Sequence, residues 1–425
     1  MKRGIVMDDK NKMTVNKENI IVGLDIGGSK IAVFIGLQEN QNQVRVLGFG
    51  VKELKKNPIS DLDFLISSIG SAVKEAETMT GFDVKEVYVG VAGDYISCFK
   101  SKGGVTLDPS KNEVKESHVA AVIKHASTLP STAGEILHIF PRNYSLDDVQ
   151  GIKNPIGMSG VRLDAEVQIV AAKTLNLQNH KKSVEKAGFE IKAMVLEPLA
   201  AAYAILHDEE RELGVAIIDI GATSADLAVF YEDAVCYSVS LDLAGNIITS
   251  DIAKSFDLPI SIARAEEIKK KYGTVAISNV LNAEVIPVPG IGDRGTVPCS
   301  RERLARVMHA RLSEILGLIA DHLRKRQLDK IIGAGIVLTG GTSATEGIVQ
   351  LAEGIFKKPV RLGQPKQDVG LGDSLAKPSF SVGVGLLHYA AKTRKKSIKE
   401  TSTQGILSYI IAGTRRFIQI IKRYI

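Results

Sequence analysis

Two stretches far apart in the chain carry residue types suited to holding a polyphosphate. In VGLDIGGSKIAV an apolar run ends at Asp25 and breaks into Gly27, Gly28, Ser29 and Lys30 before a second apolar run begins. In VAIIDIGATSADLAVF the pattern returns: Asp219 aligns with Asp25 and Gly221 with Gly27, followed by Ala222, Thr223 and Ser224. Glycine after a strand lets backbone N–H groups approach phosphate oxygens with no side chain in the way. An aspartate at the strand end can hold hydrated Mg²⁺, which prefers a few carboxylates and keeps several waters. A single turn of this kind is most often only structural, whereas two, one per domain, would grip a triphosphate from both sides. A third glycine turn, LTGGTS with Gly340, Gly341 and Thr342, is expected at a helix start, suited to an α-phosphate or a nucleoside. Glu197 closes the run AMVLEP. A carboxylate there could orient the water that attacks a γ-phosphate, or simply favour the N-terminus of the helix that follows.

These residues need strands that end at a common cleft. Residues 20–37 and 44–51 read as strands, 63–81 as an amphipathic helix stopped by Gly81, and VKEVYVGVAG as a further strand. From Asp94 to Glu166 the pattern changes to short alternating runs broken by Pro109, Pro130, Pro141 and Pro155, expected to be a small inserted subdomain. EVQIVAAK (166–173) is expected to return to the main sheet, followed by a helix, the strand EIKAMVLEP and an alanine-rich helix with Pro198 in its first turn. The second hairpin leads into two helices, a Gly/Pro/Val-rich stretch (285–300), a long helix over 301–327, and then a strand, a glycine turn and a helix. Strands alternating with helices predict an α/β fold. The duplicated hairpin predicts two related domains facing each other.

The chain has 425 residues, 44% hydrophobic and 24% charged, with a net charge of +6 that is concentrated after Lys392. The near-balanced remainder argues against a nucleic-acid coat. Cys98, Cys236 and Cys299 are scattered, without metal-binding spacing or a disulfide pattern, which favours a reducing cytoplasm. The polar N-terminus lacks the apolar core of a signal peptide, and no apolar run reaches the ~18–20 residues needed to span a bilayer.

Residues 392–404 read as a flexible basic linker and 405–425 as a separate helix. Ile406, Ile410, Phe417, Ile420, Ile421 and Tyr424 fall on one stripe of that helix, with Arg415, Arg416, Lys422 and Arg423 toward its flanks. A basic amphipathic helix after a polar linker predicts an interfacial anchor on an anionic membrane; the other reading docks it on the protein's own core. Along 301–327, Arg301, Arg303, Arg306 and Arg311 alternate with Leu304, Val307, Met308 and Leu312, the pattern of a half-buried helix with a solvated basic edge.

The motifs resemble those of the actin, heat-shock chaperone and sugar-kinase superfamily. Asp25–Lys30 and Asp219–Asp226 look like its two phosphate motifs, Val195–Ala204 its connecting segment, and Gly340–Thr342 its adenosine motif; Glu266 and Lys269 in AEEIK are spaced like its pair near the adenosine, though they also suit an ordinary exposed helix. ELGVAIIDIG, LAGNIITSDIA with Gly245 and Asn246, GAGIVLTGGT, VGLLHYA and the basic C-terminal helix narrow the resemblance to the FtsA family of bacterial cell-division proteins, over about residues 20–425.

That resemblance implies two actin-like (ribonuclease H-like) ATPase domains around a nucleotide cleft, a small inserted α+β subdomain and a C-terminal amphipathic helix. The expected division is a disordered 1–19; domain 1A over 20–93 and 167–195; insert 1C over 94–166; domain 2A over 196–243; subdomain 2B over 244–334; and 335–391 completing 2A and returning to 1A. It also implies ATP and Mg²⁺ as cofactors and at most weak ATPase activity. The implied partners are the acidic FtsZ tail near Arg301 and Arg311, further copies of the chain in a polymer, anionic lipids and other divisome proteins, at the cytoplasmic face of the membrane at the septum. One departure stands out: the family usually runs Asp-Ile-Gly-Gly-Gly-Thr where this chain has Asp219-Ile220-Gly221-Ala222-Thr223-Ser224, which sets Cβ atoms beside the expected phosphates. The alternative is a sugar kinase of the same superfamily, since VGLDIGGSKIAV is similar to a glucokinase-type opening; against it stand the membrane helix and the lack of a Cys-rich zinc loop.

Overall fold

The computed structural model describes residues 17–40, 43–54, 61–108, 113–129, 134–255, 260–280, 284–289, 295–366 and 370–394. The linker beyond Arg394 and the expected 405–425 helix therefore lie outside the described residues. A 3-10 turn, Lys17–Asn19, leads into the first strand, so regular structure begins before the expected boundary at residue 20.

β1 (Ile20–Ile26), β2 (Lys30–Gln38) and β3 (Val44–Glu53) form an antiparallel meander, and β4 (Glu86–Val91) joins β1 in parallel. Between β3 and β4 runs α1 (Leu62–Thr80), started by the Asp61 carboxylate accepting from the Phe64 N–H and ended by Gly81 at φ 74°. The chain then leaves the sheet through β5 (Ile96–Thr106), α2 (Glu116–Ala126), β6 (Glu135–Leu146), β7 (Val149–Ile152) and β8 (Arg162–Ala172). These strands make their own sheet in the order β5-β8-β6-β7. The expectation that 166–173 returns to the main sheet is corrected here: β8 pairs with β5 on one side and β6 on the other. An apolar run shows that a strand is buried on both faces but not which sheet claims its edges.

The return is made by α3 (Thr174–Lys186) and β9 (Glu190–Leu196), which completes the order β3-β2-β1-β4-β9. Helices α4 (Glu197–Ile205) and α5 (Asp208–Leu213) lead into β10 (Val215–Ile220), β11 (Ala225–Tyr231) and β12 (Ala234–Leu241). Next come α6 (Gly245–Ser255), α7 (Ile262–Tyr272), a hairpin of β13 (Val285–Pro289) and β14 (Thr296–Ser300), and α8 (Arg301–Lys325). β15 (Ile336–Thr339), α9 (Ile348–Phe356) and β16 (Val360–Leu362) finish a second sheet of order β12-β11-β10-β15-β16. The two sheets thus share one connectivity, an antiparallel meander followed by two parallel strands.

α10 (Ser381–Arg394) crosses back to the first domain, and it takes the first three residues of the expected linker into its last turn; the Arg394 guanidinium donates to the Ile20 carbonyl at 2.8 Å. One core joins the halves, with Phe34, Leu199, Ile217 and Leu386 in the same buried cluster. There α10 and α4 pack backbone to backbone: a Cβ on Gly385 would stand 1.9 Å from the Ala200 carbonyl oxygen. Glycine to alanine in a helix normally stabilises by about 1 kcal/mol. Here the overlap must be relieved by parting two helices, and overpacking costs about 1–3 kcal/mol. Gly385→Ala is therefore expected to lower the melting temperature; a rise would show that the crossing has slack.

Candidate functional site

The two hairpins close by the same hydrogen bond, from Gly27 N–H to the Lys30 carbonyl (3.0 Å) and from Gly221 N–H to the Ser224 carbonyl (2.9 Å). Their tips meet. A Cβ on Gly28 would lie 2.4 Å from Thr223 Cγ2, so the first loop passes the second only because Gly28 has no side chain. Ser29 ties its loop to the end of β3 by accepting from the Leu54 N–H at 2.8 Å. Alignment places Ser224 where the first hairpin has Lys30, and Asp226 where it has Ala32. Asp226 stands directly across the β10–β11 pair from Asp219, just as Ala32 stands across from Asp25.

Asp25, Glu197, Asp219 and Asp226 are brought together with Lys30. Asp25, Asp219 and Asp226 are buried. Burial pushes Asp25 up to about 6 against the pull of Lys30. Burial, with Asp226 and Asp25 as like-charged neighbours, pushes Asp219 up to about 8. Burial raises Asp226 to about 6, opposed by hydrogen bonds that include Ser224 Oγ at 2.7 Å and the Gly93 N–H. Glu197, the first residue of α4, is raised well above the usual carboxylate range by burial and by the other three acids. Lys30 is pulled down by burial; its ammonium bonds the Ser379 carbonyl and sits 4.3 Å from the centre of the Phe380 ring.

The second loop is framed from the side. Gly245 and Asn246 N–H groups donate to the Gly221 and Ala222 carbonyls (3.1 and 2.7 Å), and Thr342 Oγ1 donates to the Gly221 carbonyl at 2.8 Å. These α6 amides therefore hold the loop in place. Lys269 Nζ donates to the Gly245 carbonyl (3.0 Å) and lies 2.6 Å from Glu266, whose carboxylate also accepts from Thr249 Oγ1 (2.5 Å). Burial raises Glu266, but Lys269 and Thr249 outweigh it and hold the carboxyl below its usual value.

Gly340 is at φ 87°, and a Cβ there would fall 2.2 Å from Asp219 Oδ1, so only glycine lets the turn pass that carboxylate. The expected helix start is corrected: Gly341–Ala344 form a 3-10 turn, and α9 begins only at Ile348. The Thr339 hydroxyl, bonded to Ser381 Oγ at 2.8 Å and to the Gly363 and Pro378 carbonyls, anchors the end of β15 just before that turn, and 3-10 turns are frequent as connectors next to helices.

Arg301 and Arg311 share α8 but not their surroundings. Arg301 donates to the Tyr272 carbonyl (3.1 Å) and Glu284 (2.8 Å). Arg311 bonds Asp251 (2.6 Å) and Glu314, and lines a cavity of about 350 Å³ with Asp251, Lys254, Ser255, Val307, Ala310 and Glu314. With Arg306 bonded to Glu302 (2.6 Å) as well, the expected basic edge is largely neutralised by acids from its own and neighbouring helices. Ile410, Phe417, Ile421, Arg415, Arg416, Lys422 and Arg423 lie outside the described residues. Among the described residues no helix is long and apolar enough to cross a membrane.

Two residues of the cleft were not singled out in the sequence. Asp226 had a signal, an acid inside an otherwise apolar run. Tyr95 had none; its buried hydroxyl lacks a partner, and burial with Glu197 and Asp226 nearby pushes the phenol up.

Comparison with known proteins decides the family. The model described as Cell division protein FtsA matches residues 216–385, that of the SHS2 domain inserted in FtsA matches 93–171, and that of the type IV pilus assembly protein PilM matches 143–283. The FtsA of Pseudomonas aeruginosa is 38% identical over 88% of this chain and 90% of its own, and that of Escherichia coli 33% identical over 92% and 96%. The chain belongs to the FtsA family. This displaces the sugar-kinase alternative. The fold agrees with solved actin-like structures: a PilM–PilN pilus biogenesis complex (TM-score 0.59, 18% identity, 87% of this chain and 98% of that one) and Spiroplasma citri MreB5 bound to ADP (0.54, 15%, 91% and 100%). The FtsA-family chain is thus an α/β protein of actin-like architecture with an SHS2 insertion.

The raised carboxyls set a pH dependence. A carboxyl that keeps its proton in the fold but loses it when unfolded makes stability fall as pH rises from its unfolded to its folded pKa. For Asp219 that window runs from 3.8 to about 8. In metal-free buffer the wild type should therefore lose melting temperature between about pH 5 and 8, and Asp219→Asn should flatten the upper part of that fall. Parallel curves for the two would mean that Asp219 does not titrate in this range.

Proposed function

We propose that this chain is an ATP-binding, actin-like division protein that tethers FtsZ filaments to the cytoplasmic face of the membrane at the septum, polymerises along it and helps recruit other divisome proteins. The observation that carries the nucleotide part is the meeting of two equivalent glycine turns over a buried cluster of carboxyl groups. Repulsion among those acids favours a divalent cation between them. Mg²⁺ keeps several of its waters and needs only one or two carboxylates, so Asp25 and Asp219 would hold it through water. The cation would neutralise phosphate charge. Gly27, Gly28, Ser29, Lys30, Gly221, Ala222, Thr223 and Ser224 would line the phosphates. Glu266, Lys269, Gly340, Gly341 and Thr342 would frame the nucleoside, with Gly245 and Asn246 supporting the loop. Glu197 faces the same acids and would orient a water, although Thr223 against Gly28 narrows the passage and favours slow turnover. Support from fold neighbours is that MreB5 structures were solved with ADP and with AMPPNP. Asp219→Ala should weaken Mg·ATP binding by about 1.5–3 kcal/mol, tenfold or more in Kd, through loss of charged hydrogen bonds. Unchanged affinity by calorimetry would sink the site.

For the FtsZ tail, the cavity beside Arg311 combines an apolar wall with a guanidinium and Lys254. An acidic–apolar peptide would have to take Arg311 from Asp251 and Glu314, so its gain there is partial. Arg311→Glu should weaken a fluorescent acidic FtsZ-tail peptide by about 2 kcal/mol, the low end for a charge pair lost from an interface, while sparing Mg·ATP binding. Equal peptide affinity would place the partner elsewhere.

Membrane attachment rests on the sequence of 405–425. An interfacial helix binds through apolar area on one face and cations beside it, each Lys or Arg adding about 1 kcal/mol near an anionic surface. Deleting 405–425, or Phe417→Glu alone, should abolish sedimentation with anionic liposomes while the nucleotide domains stay folded. Salt should weaken wild-type binding only in part, because screening spares the apolar term. A lowered melting temperature with liposome binding intact would instead place the helix in the folded core.

A further inference from the structure

The inserted subdomain touches the cleft at a point that no phosphate contact requires. β9 is the edge strand of the first sheet, so its outer N–H groups need partners from elsewhere. The last of them, on Leu196, donates to Nε2 of His138 at 3.0 Å, from a strand of the insert 58 positions away. The pairing of β6 with β8 shifts register between Ile136 and His138, an irregularity of the kind that re-aims a side chain. The ring is buried, 5.9 Å from Phe140 and edge-on to Tyr389 at 6.0 Å. Leu196 immediately precedes Glu197.

The insert also holds the opposite domain. Arg142 donates to the Tyr231 carbonyl at 2.7 Å, Lys153 bonds Glu232, and the Gly93 N–H at the mouth of the insert bonds the Asp226 carboxylate. The subdomain therefore spans the seam, and its seat depends on how the two halves of the cleft are placed.

We infer that His138 is a positioning residue that couples the inserted subdomain to the nucleotide cleft, fixing the Leu196 N–H and with it the placement of Glu197. Acceptance at Nε2 requires a neutral ring with its proton on Nδ1, and burial, which pushes the imidazole down to about 3, keeps it neutral. Nucleotide entering beside Glu197 would shift the bonded peptide and the insert strand together. By linkage, whatever seats the insert would alter nucleotide affinity by the same factor.

The role is built on the nucleotide reading of the cleft, and hydrogen exchange on the full chain separates the two. Calorimetry first establishes Mg·ATP binding to the wild type. Nucleotide is then expected to slow exchange in peptides covering 135–146 as well as 190–197. His138→Leu, which fills the space but leaves the Leu196 N–H without an acceptor, should lose the response at 135–146. Coupling of ordinary size would weaken its nucleotide affinity about 5- to 150-fold. His138→Gln, whose amide oxygen can accept the same hydrogen bond, should restore both readouts; a purely structural loss would lower the melting temperature without this pattern of rescue. Wild type that binds Mg·ATP with no change at 135–146 overturns the coupling even if the leucine variant does not fold, and so does a leucine variant that keeps the response. Absence of Mg·ATP binding in the wild type overturns the nucleotide reading itself, and the coupling with it.

Discussion

Asp25, Glu197, Asp219 and Asp226 crowd into one buried seam, with Lys30 drawn in beside Asp25 and Asp219. Like charges in a poorly solvated space cannot all ionise, so part of the cluster keeps protons that the same residues would shed in water. The folded chain bears this cost because the strands that end there are otherwise apolar and closely packed. Much of the nearby backbone follows from accommodating the acids. Gly340 leaves room for the Asp219 carboxylate, and Gly90 leaves room for Glu197, where a Cβ would come within 3.0 Å of Cγ. Crowded acids of this kind are also where a divalent cation would gain most, since it would relieve the repulsion that keeps protons on them.

The duplicated sheets share a topology without sharing chemistry. The first hairpin offers an ammonium and a bare glycine; the second offers a hydroxyl, an additional acid and the threonine that fills the space left by Gly28. The site is consequently asymmetric although its scaffold is nearly symmetric. One domain supplies the Lys30 ammonium, and the other supplies the Thr223 side chain at the tip and a second strand carboxylate. The threonine at the tip links the two halves by contact alone, so closing the cleft and filling it compete for the same few ångströms.

A similar economy governs the insert and α8. The four-stranded sheet of the insert has its own core, yet its ends and one bulged strand reach both domains. On α8 the arginines spaced for a basic edge are met by acids from neighbouring turns and from α6. The long-range field of that face is correspondingly small, and any ligand there would have to exchange ion-pair partners within a partly apolar cavity.

Residue order alone determined the strand-turn-strand repeats, the main helices with the Gly81 stop, the α/β class and the family resemblance, because these depend on local periodicity and on glycine, proline and acid at fixed spacing. It marked Asp25, Asp219 and Glu197 as acids at strand ends, since an acid closing an apolar run is visible without a structure. Pairing across space was not visible. β8 joined the insert rather than the main sheet, Gly341 opened a 3-10 turn rather than a helix, and α10 ran on through Arg394. Asp226 became a partner of Asp219 only through antiparallel register, and His138 met Leu196 only when two subdomains packed. Periodicity reports which faces of an element are buried; which neighbour buries them, and which charges then share a space without water, is decided by packing between segments that lie far apart in the chain.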